Sequence, residues 1–308
     1  MKISFLIPCL RRGGAERQFI ILAEALADLG HDVSFINYFQ IEKENSYPTS
    51  IRKFIINKKI KIDLIFLIKL IRFVKKHRPD ILYSCYQGIF EGPLLWARIV
   101  KIFCGNVKII SGIRSDHFSR LNILIERLTS QLSSLIITNN NKAQKILINK
   151  CKVPDKKVVF ISNIADTSKF YSLPQRKIDE IRPRLFQGNS EKFIVGHLGS
   201  YTKVKNHFQI LKAAKYLKEI DKLNNIAFYC YGDKNSIGSQ YFKINNSLIN
   251  YGLTDYFFLN DPLKNVNEII NAVDLVVIPS FYEGCPNVAI ETILCNKPIV
   301  INNSANNS

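Results

Sequence analysis

Short apolar runs of strand length alternate along this chain with longer stretches whose apolar positions recur at helical spacing. Residues 3–7 predict a first strand, a loop carries Pro8 to Gly14, and an amphipathic helix starts at Ala15, with apolar positions at Leu22, Leu26 and Leu29. Gly30 closes that helix as a C-cap. A second strand over 32–38 is followed by a variable polar region. A helix is then expected over 61–76, another around Trp96, and strands over 78–84, 107–111, 135–139 and 158–161. The stretch 171–190 is polar, holds Pro174 and Pro183, and reads as a crossing between domains. Beyond it come strands over 193–199, 226–232, 256–259, 274–280 and 299–301, with helices over 207–217 and 266–273. Strands alternating with helices imply parallel sheets joined by right-handed crossovers. The expected fold class is therefore α/β, with domains at 1–170 and 191–308 joined by a linker at 171–190.

Composition narrows the function classes. With 308 residues and 47% apolar content the chain can bury two cores. Seven scattered cysteines, without a C-x-x-C, argue for reduced thiols in a cytoplasmic protein and against a disulfide frame or zinc site. Pro8 and Arg11-Arg12 interrupt the amino-terminal apolar run, so no signal peptide is expected, and no uninterrupted run reaches membrane-spanning length. The net charge is +18, and the segment 52–80 alone carries ten Lys/Arg against two Asp, a net of 10 − 2 = +8. Two readings of the basic helix 61–76 stay open: a core-packed helix with a solvated rim, or a face that sits on an anionic membrane. No nucleic-acid-binding module is visible, so nucleic acid is not an expected partner. Without a G-x-G-x-x-G the dinucleotide fingerprint is absent, which disfavours a nicotinamide dehydrogenase.

Candidate chemistry concentrates after the strand 274–280. Glu283 and Gly284 lie in a turn-rich loop, Pro286 and Asn287 stand where a helix would begin, and Glu291 lies about one turn in. Unpaired N–H groups at such a helix start can face an anion such as a diphosphate. The string Ser280-Phe281-Tyr282-Glu283-Gly284-Cys285-Pro286-Asn287-Val288-Ala289-Ile290-Glu291 resembles the S-F-x-E-G-x-P-N-x-x-x-E signature of glycosyltransferase family 4, the retaining enzymes of GT-B fold. Gly13-Gly14-Ala15-Glu16-Arg17, followed by Gly30-His31-Asp32-Val33, is similar to the same family's amino-terminal pattern. Pro79-Asp80-Ile81 sits like its P-D-I segment. The segment 162–170 keeps Asn163, Asp166 and Phe170 of a P-N-G-V-D-x-x-x-F, with Ser162 and Ile164 replacing proline and glycine. Lys205-Asn206 matches a K-N pair, while Ser200 stands where the family has an arginine and Lys203 is the nearest substitute cation.

The resemblance implies two Rossmann-like doubly wound domains of a GT-B enzyme, the second incomplete, with the chain covering about four-fifths of the family pattern. It implies a retaining transfer from a nucleotide sugar, a UDP-sugar by family preference, to a glycan or lipid-linked hydroxyl in surface-polysaccharide assembly. Glu291 would hold the ribose, Glu283 the sugar near its reacting carbon, and Lys205 with Asn206 the diphosphate. Gly13, Gly14, Gly284, Pro286 and Asn287 would line the donor. Arg114, Asp116 and His117 form the polar cluster expected nearest the acceptor, and His117 either polarises a donor hydroxyl or caps the following helix. No cofactor and no metal is implied, since there is no Asp-x-Asp and lysine with helix dipoles can replace a cation. An inactive remnant, favoured by Ser200 and Ile164, and a nucleotide-sugar epimerase of the same fold are the alternatives.

Overall fold

The structure, a computed structural model, describes residues 1–10, 14–40, 49–85, 92–115, 118–236 and 238–303. It divides into two compact units, Met1–Asn163 and Ile164–Asn307.

The first unit holds a parallel sheet of β1 (Lys2–Ile7), β2 (Asp32–Asn37), β3 (Arg52–Ile55), β4 (Ile81–Cys85), β5 (Lys108–Ile113), β6 (Leu135–Thr138) and β7 (Val158–Phe160), in the order β3-β2-β1-β4-β5-β6-β7. Apolar clusters cover both its faces, which is why β1 and β2 read as near-continuous apolar runs. Helix α1 (Gly14–Asp28) buries Phe19, Ile20 and Ala23 against Phe5, Phe35 and Tyr83. Of the stripe expected at Leu22, Leu26 and Leu29, the first two pack at the edge of this same cluster and the third does not. Leu22 and Leu26 are only partly buried, and Leu29 lies past the helix end, 73% exposed. There Gly30 at φ +82° lets His31 N–H reach Leu26 O at 3.1 Å, as expected of a C-cap.

Helix α2 (Leu64–His77) starts later than expected because Asp63 caps it. Its buried carboxylate accepts from Phe66 N–H and Lys59 N–H, both at 2.8 Å, and these bonds hold its pKa below the usual range. Phe66, Leu70 and Val74, four residues apart, pack on the sheet. Strand β3 lies in the region expected to be polar and variable. It is a short edge strand with only partial burial, so it lacks a strong apolar signal.

Helices α3 (Pro93–Phe103), α4 (Arg120–Thr129) and α5 (Asn141–Asn149) complete the unit. α4 is inverted: it buries Glu126 and exposes Leu121, Leu124 and Leu128. Glu126 pairs at 2.8 Å with Arg98 of α3, which is fully buried and also donates to Ser133 Oγ (2.9 Å) and Thr129 Oγ1 (2.8 Å). Arg114, of the polar cluster expected nearest the acceptor, donates to Asn163 Oδ1 at 2.8 Å, and its guanidinium lies over the Phe19 ring. Asn139 bonds the same Asn163 oxygen at 2.9 Å, so the asparagine of the 162–170 segment ties three chain segments together.

The second unit holds β8 (Phe193–Leu198), β9 (Ile226–Tyr231), β10 (Phe257–Asn260), β11 (Leu275–Ile278) and β12 (Ile299–Ile301), parallel in the order β10-β9-β8-β11-β12. The stretch 171–190, expected to be a bare crossing, contains helix α6 (Gln175–Leu185), whose Ile178 and Ile181 are buried. Arg182 anchors it, with Nη1 at 3.0 Å from Asp274 Oδ1 ahead of β11. Proline-marked polar sequence conceals this helix, since only one narrow edge of it is apolar. Helices α7 (His207–Glu219), α8 (Tyr241–Asn250), α9 (Val266–Ala272) and α10 (Asn287–Leu294) follow. Ile164, replacing the family's glycine, is half exposed, while Phe170 is buried with Ile270 and Cys295. Both sheets are thus parallel α/β layers whose loops after β1, β8 and β11 emerge at carboxyl edges. No helix among the described residues is long and apolar enough to cross a membrane.

Candidate active site

In the second unit the turn after β8 is pressed against the end of β9. A Cβ at Gly232 would stand 2.1 Å from Gly199 O, so only glycine admits this approach. The buried Tyr201 hydroxyl is shared between Cys230 O at 3.0 Å and Asn260 O at 2.8 Å, anchoring the turn to β9 and β10. A short 3₁₀ turn over Lys203–Lys205 ends at Asn206, whose left-handed φ of 52° reverses the chain into α7. Asparagine tolerates that conformation better than most residues.

The loop after β11 closes onto this turn at three points. Asn206 Nδ2 donates to Pro279 O (3.1 Å), Phe281 N–H donates to Val204 O (2.9 Å), and Lys205 Nζ lies 2.5 Å from Glu283 Oε1. Ser280 Oγ donates to the same Glu283 oxygen at 2.8 Å. Two donors on one oxygen keep the carboxylate oriented. Pro286 then stands at the N-cap of α10, and Glu291, one turn in, is 1% exposed. Burial and then the Glu291 carboxylate push the Cys295 thiol up to about 11.

Two histidines form the floor beneath the ion pair. His197, near the end of β8, donates from Nδ1 to Val277 O of β11 at 2.8 Å, a bond that selects the tautomer with Nε2 unprotonated. His207 opens α7, and its ring meets that of His197 edge-on, with centroids 4.5 Å apart. Both are 1% exposed; among the described residues neither nitrogen of His207 nor Nε2 of His197 has a hydrogen-bond partner. Burial lowers the His197 pKa to about 4, with the Val277 bond opposing and the Lys205 charge adding. Burial, His197 and Lys205 bring His207 to about 2. The floor is therefore neutral, and it links the strand ahead of each loop.

Of the residues singled out from the sequence, Lys205, Asn206 and Glu283 come into one contact network, and Gly284, Pro286, Asn287 and Glu291 follow on the same loop and helix. Gly14 is the first residue of α1 in the other unit. Gly13 and His117, with Asp116, lie outside the described residues. Ser200 Oγ sits 3.4 Å from Thr202 Oγ1, and Lys203 is exposed. Ser280, although a fixed position of the signature, and Tyr201, His197 and His207 carry no role that the sequence makes visible. Isolated histidines and a tyrosine carry no pattern until the fold brings them together. Among the described residues no group of three His, Cys, Asp or Glu could hold a metal ion.

This arrangement offers one half-buried ammonium, one oriented carboxylate and two helix starts at a carboxyl edge, the equipment for an anionic ligand with a polar head. Comparison with known proteins agrees in kind. Residues 12–169 match the family model described as Glycosyltransferase Family 4, and residues 179–308 match that of Glycosyl transferases group 1. The chain is 20% identical over 242 residues to an uncharacterized glycosyltransferase of Methanocaldococcus jannaschii, covering 75% of this chain and 57% of that protein. It is 22% identical over 253 residues to the UDP-Gal:alpha-D-GlcNAc-diphosphoundecaprenol alpha-1,3-galactosyltransferase of Escherichia coli, covering 80% and 63%. The match thus spans about three-fifths of these relatives' length. In fold it is similar to Anabaena HepE, crystallised with UDP and glucose, at a TM-score of 0.82 and 20% identity over 99% of this chain and 81% of that one.

Proposed function

Since the chain belongs to Glycosyltransferase Family 4, with the group 1 glycosyl transferase region following, we propose that it transfers a sugar from a UDP-sugar to a hydroxyl of a lipid-linked or glycan acceptor, with retention at the anomeric carbon. The observation that carries this reading is the network joining Lys205, Glu283 and Ser280 at the carboxyl edge of the second sheet. In it, Lys205 supplies charge to the donor diphosphate together with the N-termini of α7 and α10. Glu283 faces the sugar end and Glu291 the ribose. The bond from the anomeric carbon to the diphosphate breaks as the bond to the acceptor oxygen forms, and the acceptor's hydroxyl proton passes to the leaving diphosphate oxygen. Positive charge fixed beside that diphosphate stabilises the transition state without a metal.

Lys205 is occupied by Glu283, so the diphosphate competes with that carboxylate. Exchange of partners releases Glu283 toward the sugar. The neutral histidine floor adds no charge of its own and so leaves this exchange to Lys205 and Glu283. The activity named for the Escherichia coli relative, with its UDP-Gal donor and diphosphoundecaprenol acceptor, supports a UDP-sugar and a lipid-linked acceptor. Assembly of a surface polysaccharide on the cytoplasmic face of the membrane, with peripheral contact through the basic segment, fits such an acceptor. An inactive remnant that binds nucleotide weakly or not at all is the second reading, favoured by Ser200, which offers a hydroxyl where an arginine would fork onto phosphate.

Thermal melting of the full chain with UDP, GDP, NAD or no nucleotide, each with and without chelator, tests the reading. A cooperative transition raised by UDP, indifferent to chelator and lost in Lys205→Ala, supports it. A melt that no nucleotide moves overturns the donor site.

A further inference from the structure

The solvent-facing side of α2 is apolar at one end and basic at the other. At about 100° per residue, Phe66, Leu70 and Val74 mark the buried side. The opposite side carries Leu64, Ile65 and Ile68 first and then Lys69, Arg72 and Lys76. Ile60 and Ile62, just ahead of the Asp63 cap, extend the apolar end, and the exposed Lys59 and Lys61 alternate with them as cations at its rim. These five aliphatic side chains are between 48% and 67% exposed. A helix end that merely packed on the core would not present them to water as a cluster. Behind this tip, a groove of about 320 Å³ opens between α2 and the strand end at Ile55, and Asn57, Lys69, Arg72, Lys76 and His77 line it. None of its lining residues is a carboxylate.

From this segregation we infer that the tip at 60–68 and the groove behind it form a docking surface for an anionic lipid bilayer. The aliphatic residues enter the acyl boundary, and the cations hold lipid phosphate at headgroup depth. The dimensions agree: Lys69 and Arg72 follow Ile68 by about 1.5 and 6 Å along the helix axis, while interfacial segments bury their apolar side about 5–10 Å deep. Charge complementarity selects the partner, because a cationic groove flanking an apolar tip matches a surface that is anionic outside and apolar beneath. An RNA or an acidic protein would use the groove and leave the tip in water. The inference rests on the proposed lipid-linked acceptor for its biological sense, but its physics is separate from the donor site.

Sedimentation of the full chain with vesicles of phosphatidylcholine, with and without phosphatidylglycerol, tests it. Binding is expected only with the anionic lipid. Lys69→Glu with Arg72→Glu should lower it at least 25-fold, at about fivefold per basic residue, the ratio equivalent to about 1 kcal/mol each. Ile65→Ser with Ile68→Ser should lower it about tenfold or more at unchanged charge. A control pair in the other unit, Lys215→Glu with Lys243→Glu, should leave it within twofold. Equal losses in the control pair, no loss in the isoleucine pair, or binding to RNA but not to vesicles would each overturn the surface. Because the altered residues lie on the solvent side, the variants should melt as the parent does. The UDP-dependent rise in melting temperature is read on the same proteins, so loss of vesicle binding with that rise intact separates this surface from the donor site.

Discussion

Acid should weaken the second unit through His197 and His207 in a way that can be calculated. Both rings are neutral in the fold, with pKa values lowered to about 4 and about 2, whereas an unfolded histidine takes its proton near 6.5. Between those limits the unfolded chain binds more protons, so stability is full above about pH 6.5 and falls as pH falls toward the folded values. At about pH 5 each histidine is charged when unfolded and neutral when folded, a difference of roughly 1.5 pH units at 1.36 kcal/mol each, or about 2 kcal/mol. The pair therefore costs about 4 kcal/mol relative to pH 8, against a typical domain stability of about 5–15 kcal/mol. His207→Phe keeps a flat ring against Tyr201 and removes two unpartnered nitrogens. It should be no less stable than the parent at pH 8 and should recover about 2 kcal/mol of the loss at pH 5. Urea unfolding followed by far-UV circular dichroism measures this. Trp96, the sole tryptophan and in the first unit, serves as the internal control. Equal losses from pH 8 to pH 5 in parent and variant would refute the neutral-pair account.

Other consequences can be measured with equal directness. Glu126→Ala leaves the fully buried Arg98 guanidinium without its anion and should cost about 3–5 kcal/mol in urea, whereas Arg98→Met with Glu126→Leu should return most of that. Glu283→Gln weakens the hold on Lys205 and so should tighten UDP binding by about fivefold, roughly 1 kcal/mol, in calorimetry while lowering any transfer activity. Weaker binding in that variant would mean that Glu283 itself helps to hold the nucleotide. Gly232→Ala drives a methyl group into Gly199 O and should destabilise the second unit by about 1–3 kcal/mol and abolish the UDP-dependent shift in melting.

Much of this protein is legible in its sequence. The parallel α/β order follows from local facts, because strands covered on both faces must be apolar and crossovers must be helical, and both leave periodic traces. The signature from Ser280 to Glu291 is readable for a related reason: a tight turn, a helix start and two carboxylates at fixed spacing depend on neighbours in sequence. Features made by distant residues are not readable in this way. Glu126 on the inner side of α4 makes sense only once Arg98 stands 28 positions away with its partners in place. Helix α6 is held by Asp274, 92 positions on. His197 and His207 look like unrelated polar residues until β8, β11 and α7 pack around them and exclude water. The same division runs through the basic segment. Sequence alone determined its charge and its helical period, but the side that meets the core is chosen by packing, because a helix with apolar residues nearly all round can bury only one face. Tertiary structure made that choice for Phe66, Leu70 and Val74, and left Leu64, Ile65 and Ile68 in water.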